Sequence, residues 1–173
     1  MSRTTLFSMS KSKKPRKAYR PTHAPNPRAF MVAIRGAHLL CAHDQLTRAA
    51  RVRSSVEMLG ASTGGVPQWR DVFDALNMIE AFAHMGLVRD SREFIEEHQT
   101  SIVAAMNRQQ STGSNVLRPS ELQMLRDLAA TWAEVLAIVT CREYFAAEER
   151  VKRKVAQALA KGSHGSVRVV EAA

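Results

Sequence analysis

The densest chemistry in this chain is cationic. The stretch Lys11-Ser-Lys-Lys-Pro-Arg-Lys-Ala-Tyr-Arg-Pro21 puts Lys11, Lys13, Lys14, Arg16, Lys17 and Arg20 close together. Clustered Lys and Arg attract backbone phosphates, and each phosphate they neutralise releases condensed counterions. Tyr19, between Lys17 and Arg20, is placed to stack on an accessible base. The first acidic residue is Asp44, and nine of the 25 Lys and Arg precede it: these six with Arg3, Arg28 and Arg35. From Asp44 onward, sixteen Lys and Arg face sixteen Asp and Glu, so the net charge of +9 belongs to the N-terminal part. A basic arm on a neutral body points to a polyanionic partner. Charge of this kind attracts DNA and RNA alike, without regard to sequence. Two blander readings compete: a solubilising tail with no specific partner, and an import signal at Lys13-Lys-Pro-Arg-Lys17.

Two further clusters are weaker. Arg48 and Arg51, three apart, share a helix face and could extend the basic surface, with Arg53 close by, while their plainer role is an ordinary solvated face. Arg150, Lys152, Arg153 and Lys154 follow Glu148 and Glu149, and their plainer role is a solvated helix end whose cations suit the dipole. The other constellations point to no chemistry. His38, Cys41 and His43 are near one another, and His84, His98 and Cys141 come from elsewhere. None has zinc-site spacing, so helix histidines and a buried thiol are the expectation, with no metal and no cofactor. Gly64-Gly65 lacks the Lys and Ser/Thr of a phosphate loop. The acidic pairs Asp71/Asp74 and Glu93/Glu96/Glu97 suit the outer faces of amphipathic helices. No catalytic residue is assigned, and the protein is expected not to be an enzyme.

The elements that must position these residues are helical. Ala, Leu, Val and Met supply most of the 45% hydrophobic residues, and aromatics are only 6%. That palette favours helices over strands. Residues 1–26 read as a disordered basic arm: like charges repel, and Pro15, Pro21 and Pro25 oppose helix. Asn26-Pro27 opens a first helix to about His43, with Phe30, Ile34, Ala37 and Cys41 on one face. Asp44 caps a second helix with Leu46, Ala49, Val52, Val56 and Leu59 inward and Gly60 as its stop. A third, from about Gln68 to Met85, carries Trp69, Val72, Phe73, Leu76, Ile79 and Ala83 and ends at Gly86. Asp90-Ser-Arg-Glu93 resembles a capping box and opens a fourth helix toward Arg108, with Ile95, Ile102, Val103 and Met106 inward. After a polar connection at 109–117, Pro119-Ser-Glu-Leu122 opens the last helix. Residues 120–161 contain no Gly or Pro, so a long C-terminal helix is expected, with a bend near Thr140-Cys141 or departure from the bundle there. Its stripe is Leu122, Leu125, Ala129, Trp132, Leu136 and Val139. The expected organisation is an all-α bundle of four to five helices at 27–161, the arm at 1–26 and a flexible tail at 162–173.

Two cysteines make no disulfide framework, and no apolar run approaches the roughly 20 residues that span a bilayer. The acid-free N-terminus is compatible with a mitochondrial transit peptide, but its prolines oppose the amphipathic helix such a peptide needs. Met9, just before the basic run, offers an alternative start. From Met9 the opening Met-Ser-Lys-Ser-Lys-Lys-Pro-Arg-Lys-Ala-Tyr-Arg-Pro21 resembles small basic helical proteins of temperate bacteriophages and mobile elements. Trp69-Arg-Asp-Val-Phe-Asp-Ala-Leu-Asn77, followed by Gly86, Arg108 and Thr112-Gly113, is similar to them too. The resemblance covers about residues 9–149. It implies a bacterial cytoplasmic setting and no particular activity. The expected function is non-catalytic nucleic-acid association, accessory to phage DNA replication, recombination or gene control. The alternative is a helical module that binds a host or phage protein as inhibitor or adaptor. No membrane partner is expected.

Overall fold

The computed structural model describes residues 36–89 and 91–160. Within them the chain is an all-α bundle of five helices: α1 (Ala42–Gly60), α2 (Val66–His84), α3 (Arg92–Thr112), α4 (Pro119–Ile138) and α5 (Cys141–Ala160). The basic arm at 1–26, the expected helix as far as residue 35, Asp90 and the tail at 162–173 lie outside the described residues.

Helix α2 is the central element and packs against all four others, whereas α5 runs along α2. The apolar stripe expected for α2 explains this. Trp69, Val72, Phe73, Leu76 and Ile79 are all buried, and Ala75, Met78, Ala81 and Phe82 widen the buried arc. A helix apolar over so much of its circumference can bury its surface only by having neighbours on several sides. At its end Gly86 takes a φ of 76°. The amide N–H of Leu87 donates to Phe82 O and that of Gly86 to Ala83 O, closing the helix with a left-handed residue that glycine adopts without strain. Helix α3 ends the same way at Gly113, φ 68°. It runs through residues 109–112, expected as a connection, because Gln109 has a tertiary role there: its Oε1 accepts the indole N–H of Trp69 at 3.0 Å.

The first expected helix does not reach His43. Gly36 and Ala37 form a turn, and Leu39 pairs with Thr140 in an isolated antiparallel bridge. Leu40 is buried, and its N–H donates to Val139 O at 3.2 Å while Cys141 N–H donates to His38 O at 2.9 Å. These backbone groups bond across the fold instead of along a helix. Cys41, expected on a helix face, is the N-cap of α1: its Sγ accepts the N–H of Asp44 at 3.4 Å. Asp44 therefore sits in the first turn and is not the cap. Leu46, expected inward, is 71% exposed. It lies about 200° around the helix from Arg48, which takes the inward direction. Gly60 is still helical, and its value is space: a Cβ there would approach Leu122 Cδ1 to 2.9 Å.

The Gly- and Pro-free run at 120–161 divides into α4 and α5 at the expected bend. Val139 is extended (φ −84°, ψ 143°), buried and tied to Leu40. Thr140 and Glu143 then restart the helix as a capping box. Thr140 N–H and Oγ1–H both donate to Glu143 Oε2, at 2.8 and 2.7 Å, and Glu143 N–H donates to Thr140 Oγ1 at 3.3 Å. Thr140→Ala is expected to cost about 1 kcal/mol, in the range for a lost N-cap. Chemical denaturation of the purified variant measures it, and an unchanged midpoint would show that the bridge to Leu39 alone sets the bend.

The core closes around α4. Trp132 stacks on Phe82 with ring centroids 6.4 Å apart, and Phe82 is 6.4 Å from the ring of Tyr144 on α5. Among the described residues no helix is long and apolar enough to cross a membrane.

Candidate nucleic-acid interface

Lys11, Lys13, Lys14, Arg16, Lys17, Tyr19 and Arg20 lie outside the described residues. What the structure defines is where the basic segment joins the body. Gly36 O accepts the backbone N–H of Arg142 at 3.1 Å, and the bridge between Leu39 and Thr140 follows directly. Residues 36–40 are thereby held at the start of α5.

Arg48 and Arg51 do not form one open cationic face. Arg48 lies over the ring of Tyr144, its guanidinium carbon 4.3 Å from the centroid, and Nη1 donates to the Tyr144 hydroxyl at 2.6 Å. Its Nε is buried without a hydrogen-bond partner. Such an arginine joins α1 to α5, and the ring and the hydroxyl hold its guanidinium in place. Arg51 is exposed but pairs with Asp71, which also accepts the Ser55 hydroxyl at 2.7 Å. The hydrogen bond to Asp71, and then its charge, raise the Arg51 pKa above its usual value. Ser55 is buried by this clasp between α1 and α2, which is why a serine occupies a core position. Arg53 is exposed, and its charge adds to the pairing with Arg126 that lowers the Glu57 carboxyl pKa.

The second cluster divides. Lys154 reaches across to α2 and binds both Glu80 oxygens, at 2.7 and 2.8 Å. Lys152 pairs with Glu148 at 2.9 Å and Glu149 at 3.3 Å along its own helix. Arg150 and Arg153 stay exposed. Tyr144, as the seat of Arg48, is a partner the sequence reading missed. The signal available was Thr140-Cys-Arg-Glu143, whose capping pattern marks a helix start and sets Tyr144 one turn inside it.

An open groove of about 680 Å³ runs between the end of α2 and the start of α3. Ala83, Val88 and Ile95 supply apolar surface, and Glu80, Arg92 and Glu96 are charged groups along it. His38 and Cys41 fall in the non-helical entry to α1, and His98 is buried on α3 with its Nδ1 2.7 Å from Phe94 O.

No protein-family model, curated protein or solved structure matches the chain.

Proposed function

We propose that the protein associates with nucleic acid without catalysing a reaction, its basic N-terminal segment neutralising phosphates while the bundle serves as its carrier. The observation that carries this is the placement of charge: nine Lys and Arg precede the first acid, and the rest of the chain is balanced. The resemblance of the opening to phage and mobile-element proteins favours a setting in the bacterial cytoplasm, accessory to phage DNA replication, recombination or gene control. The test is fluorescence anisotropy of the full chain with unrelated duplex and single-stranded oligonucleotides across a salt series. If Lys11, Lys13, Lys14, Arg16, Lys17 and Arg20 each meet a phosphate, the log–log salt slope on duplex DNA is about −5. Absence of binding at low salt overturns the proposal.

A second reading, a module that binds a host or phage protein, draws on the groove between α2 and α3. An open groove lined by both apolar and charged side chains suits a partner side chain or helix. A pulldown from a bacterial host lysate separates the two: a protein retained after nuclease treatment favours this reading, and loss of everything with the nucleic acid favours the first.

A further inference from the structure

We infer that the C-terminal part of α5, residues 148–160, is a cover latched onto α2 by Lys154 and Glu80, and that it opens as a unit to enlarge the groove between α2 and α3. The inference stands apart from both readings of function and concerns access to that surface.

The two parts of α5 are held differently. Near its start, Gly36 O accepts the N–H of Arg142, Tyr144 and Ala147 are buried, and Tyr144 meets Arg48 of α1. From 148 to 160 no residue is buried, and Val151 and Val155 are half-buried. The backbone of α5 approaches α2 and no other described helix. Lys154 ties the second part to α2, its Nζ meeting both Glu80 oxygens at 2.7 and 2.8 Å. Asn77 and Ala81 of α2 and Val151 and Val155 of α5 border a cleft of about 20 Å³ beside this pair, room for about one water. The apolar contact that assists the latch is therefore thin.

A helical stretch as short as 148–160 is marginal once it leaves its support, since helices under about 12–15 residues seldom persist alone in water. Release of the latch and unwinding of the stretch are thus one event, opposed by an ion pair partly open to water and a small apolar contact. The buried Tyr144 and Ala147 hold the preceding turns in place. Glu80 and His84 line both the cleft under α5 and the groove between α2 and α3. The two concavities share that wall, so opening adds the flank of α2 at Ala81, 4% exposed when covered, to the groove.

Hydrogen–deuterium exchange of the full chain, read by mass spectrometry, tests the unit. Corrected for intrinsic rates, amides of 152–160 are expected to exchange together, and faster than those of 144–147. Glu80→Gln removes the charge that Lys154 meets, and that Arg150, which also lines the cleft, could meet in its place. It is expected to speed exchange at 152–160 about fivefold, the upper end for an ion pair partly open to water, with 144–147 and α2 unchanged. Lys154→Gln should do the same, and the double variant no more than either, because both remove one contact. Ala81→Cys places a thiol under the cover. Its alkylation by iodoacetamide, located by peptide mass, should rise by the same factor when combined with Glu80→Gln. Exchange that is graded toward residue 160 and indifferent to both substitutions is end fraying and overturns the cover. Faster exchange with unchanged alkylation of the Ala81→Cys thiol shows that nothing on α2 is uncovered, and overturns it as well. If Glu80→Gln loosens the whole bundle, Lys154→Gln on the outer helix decides: a rise confined to 152–160 supports the latch, and an unchanged or bundle-wide rate overturns it.

Discussion

Trp132→Ala is expected to lower stability by about 3–5 kcal/mol, the largest loss from a single substitution considered for this fold. Trp132 is 4% exposed and lies at the crossing of α4 with α2, stacked on Phe82, with Leu125, Leu128, Ala129, Val135 and Leu136 buried along the same helix. Removing the indole opens a cavity where three helices meet, and α4 cannot collapse into it without losing its hold on α1. For a chain of this size the loss corresponds to a fall in Tm of roughly 10 °C. Trp132→Phe is expected to cost much less. It keeps a ring against Phe82 and removes the indole N–H, which is buried with no hydrogen-bond partner. Thermal and urea denaturation of both variants measure the pair. A cost below about 1 kcal/mol for the alanine variant would mean that α4 has an open face at this point and that the packing described for the core is wrong.

Replacing Lys13, Lys14, Arg16 and Lys17 together with Ala is expected to remove most of the protein's affinity for duplex DNA at moderate salt. Four lost phosphate contacts reduce the log–log salt slope by up to about 3.6 units. Relative to 1 M salt, at 0.1 M that amounts to a weakening of up to about four thousandfold. The four residues precede the described fold, so the variant's circular dichroism and melting should match the wild type. Tyr19→Ala acts differently: single-strand binding should weaken by about 1–3 kcal/mol while duplex binding holds, because stacking needs an accessible base face. Anisotropy titrations at several salt concentrations measure all three proteins. If the wild type binds and the quadruple variant binds equally well, the contacts do not come from these four residues, and the run from Lys11 to Arg20 is the wrong segment.

The sequence by itself determined the fold class and the interior of the long helices. The stripes of α2 and α4 are legible because a helix that buries one face repeats its apolar residues with the helical period, and that period is a local property. Trp69, Val72, Phe73, Leu76 and Ile79, and likewise Leu125, Ala129, Trp132 and Leu136, are buried as their spacing predicts. Gly86 is equally local, since a left-handed glycine ends the helix there, whereas the helix that ends at Gly113 was expected to stop near Arg108. The charge asymmetry around Asp44 is a count, and needs no structure.

Tertiary structure decided what depends on partners distant in sequence. Leu39 and Thr140 are 101 positions apart, and their pairing explains why residues 38–41 bond across the fold and do not continue a helix. Ser55 is buried because Asp71 meets it, while Leu46 is exposed because Arg48 on the same helix has Tyr144 to face. The basic residues were therefore legible as a total but not as a surface. Whether an arginine remains available to a phosphate depends on which carboxylate or ring the fold brings to it. That sorting holds Arg48 on an aromatic ring and Arg51 on a carboxylate.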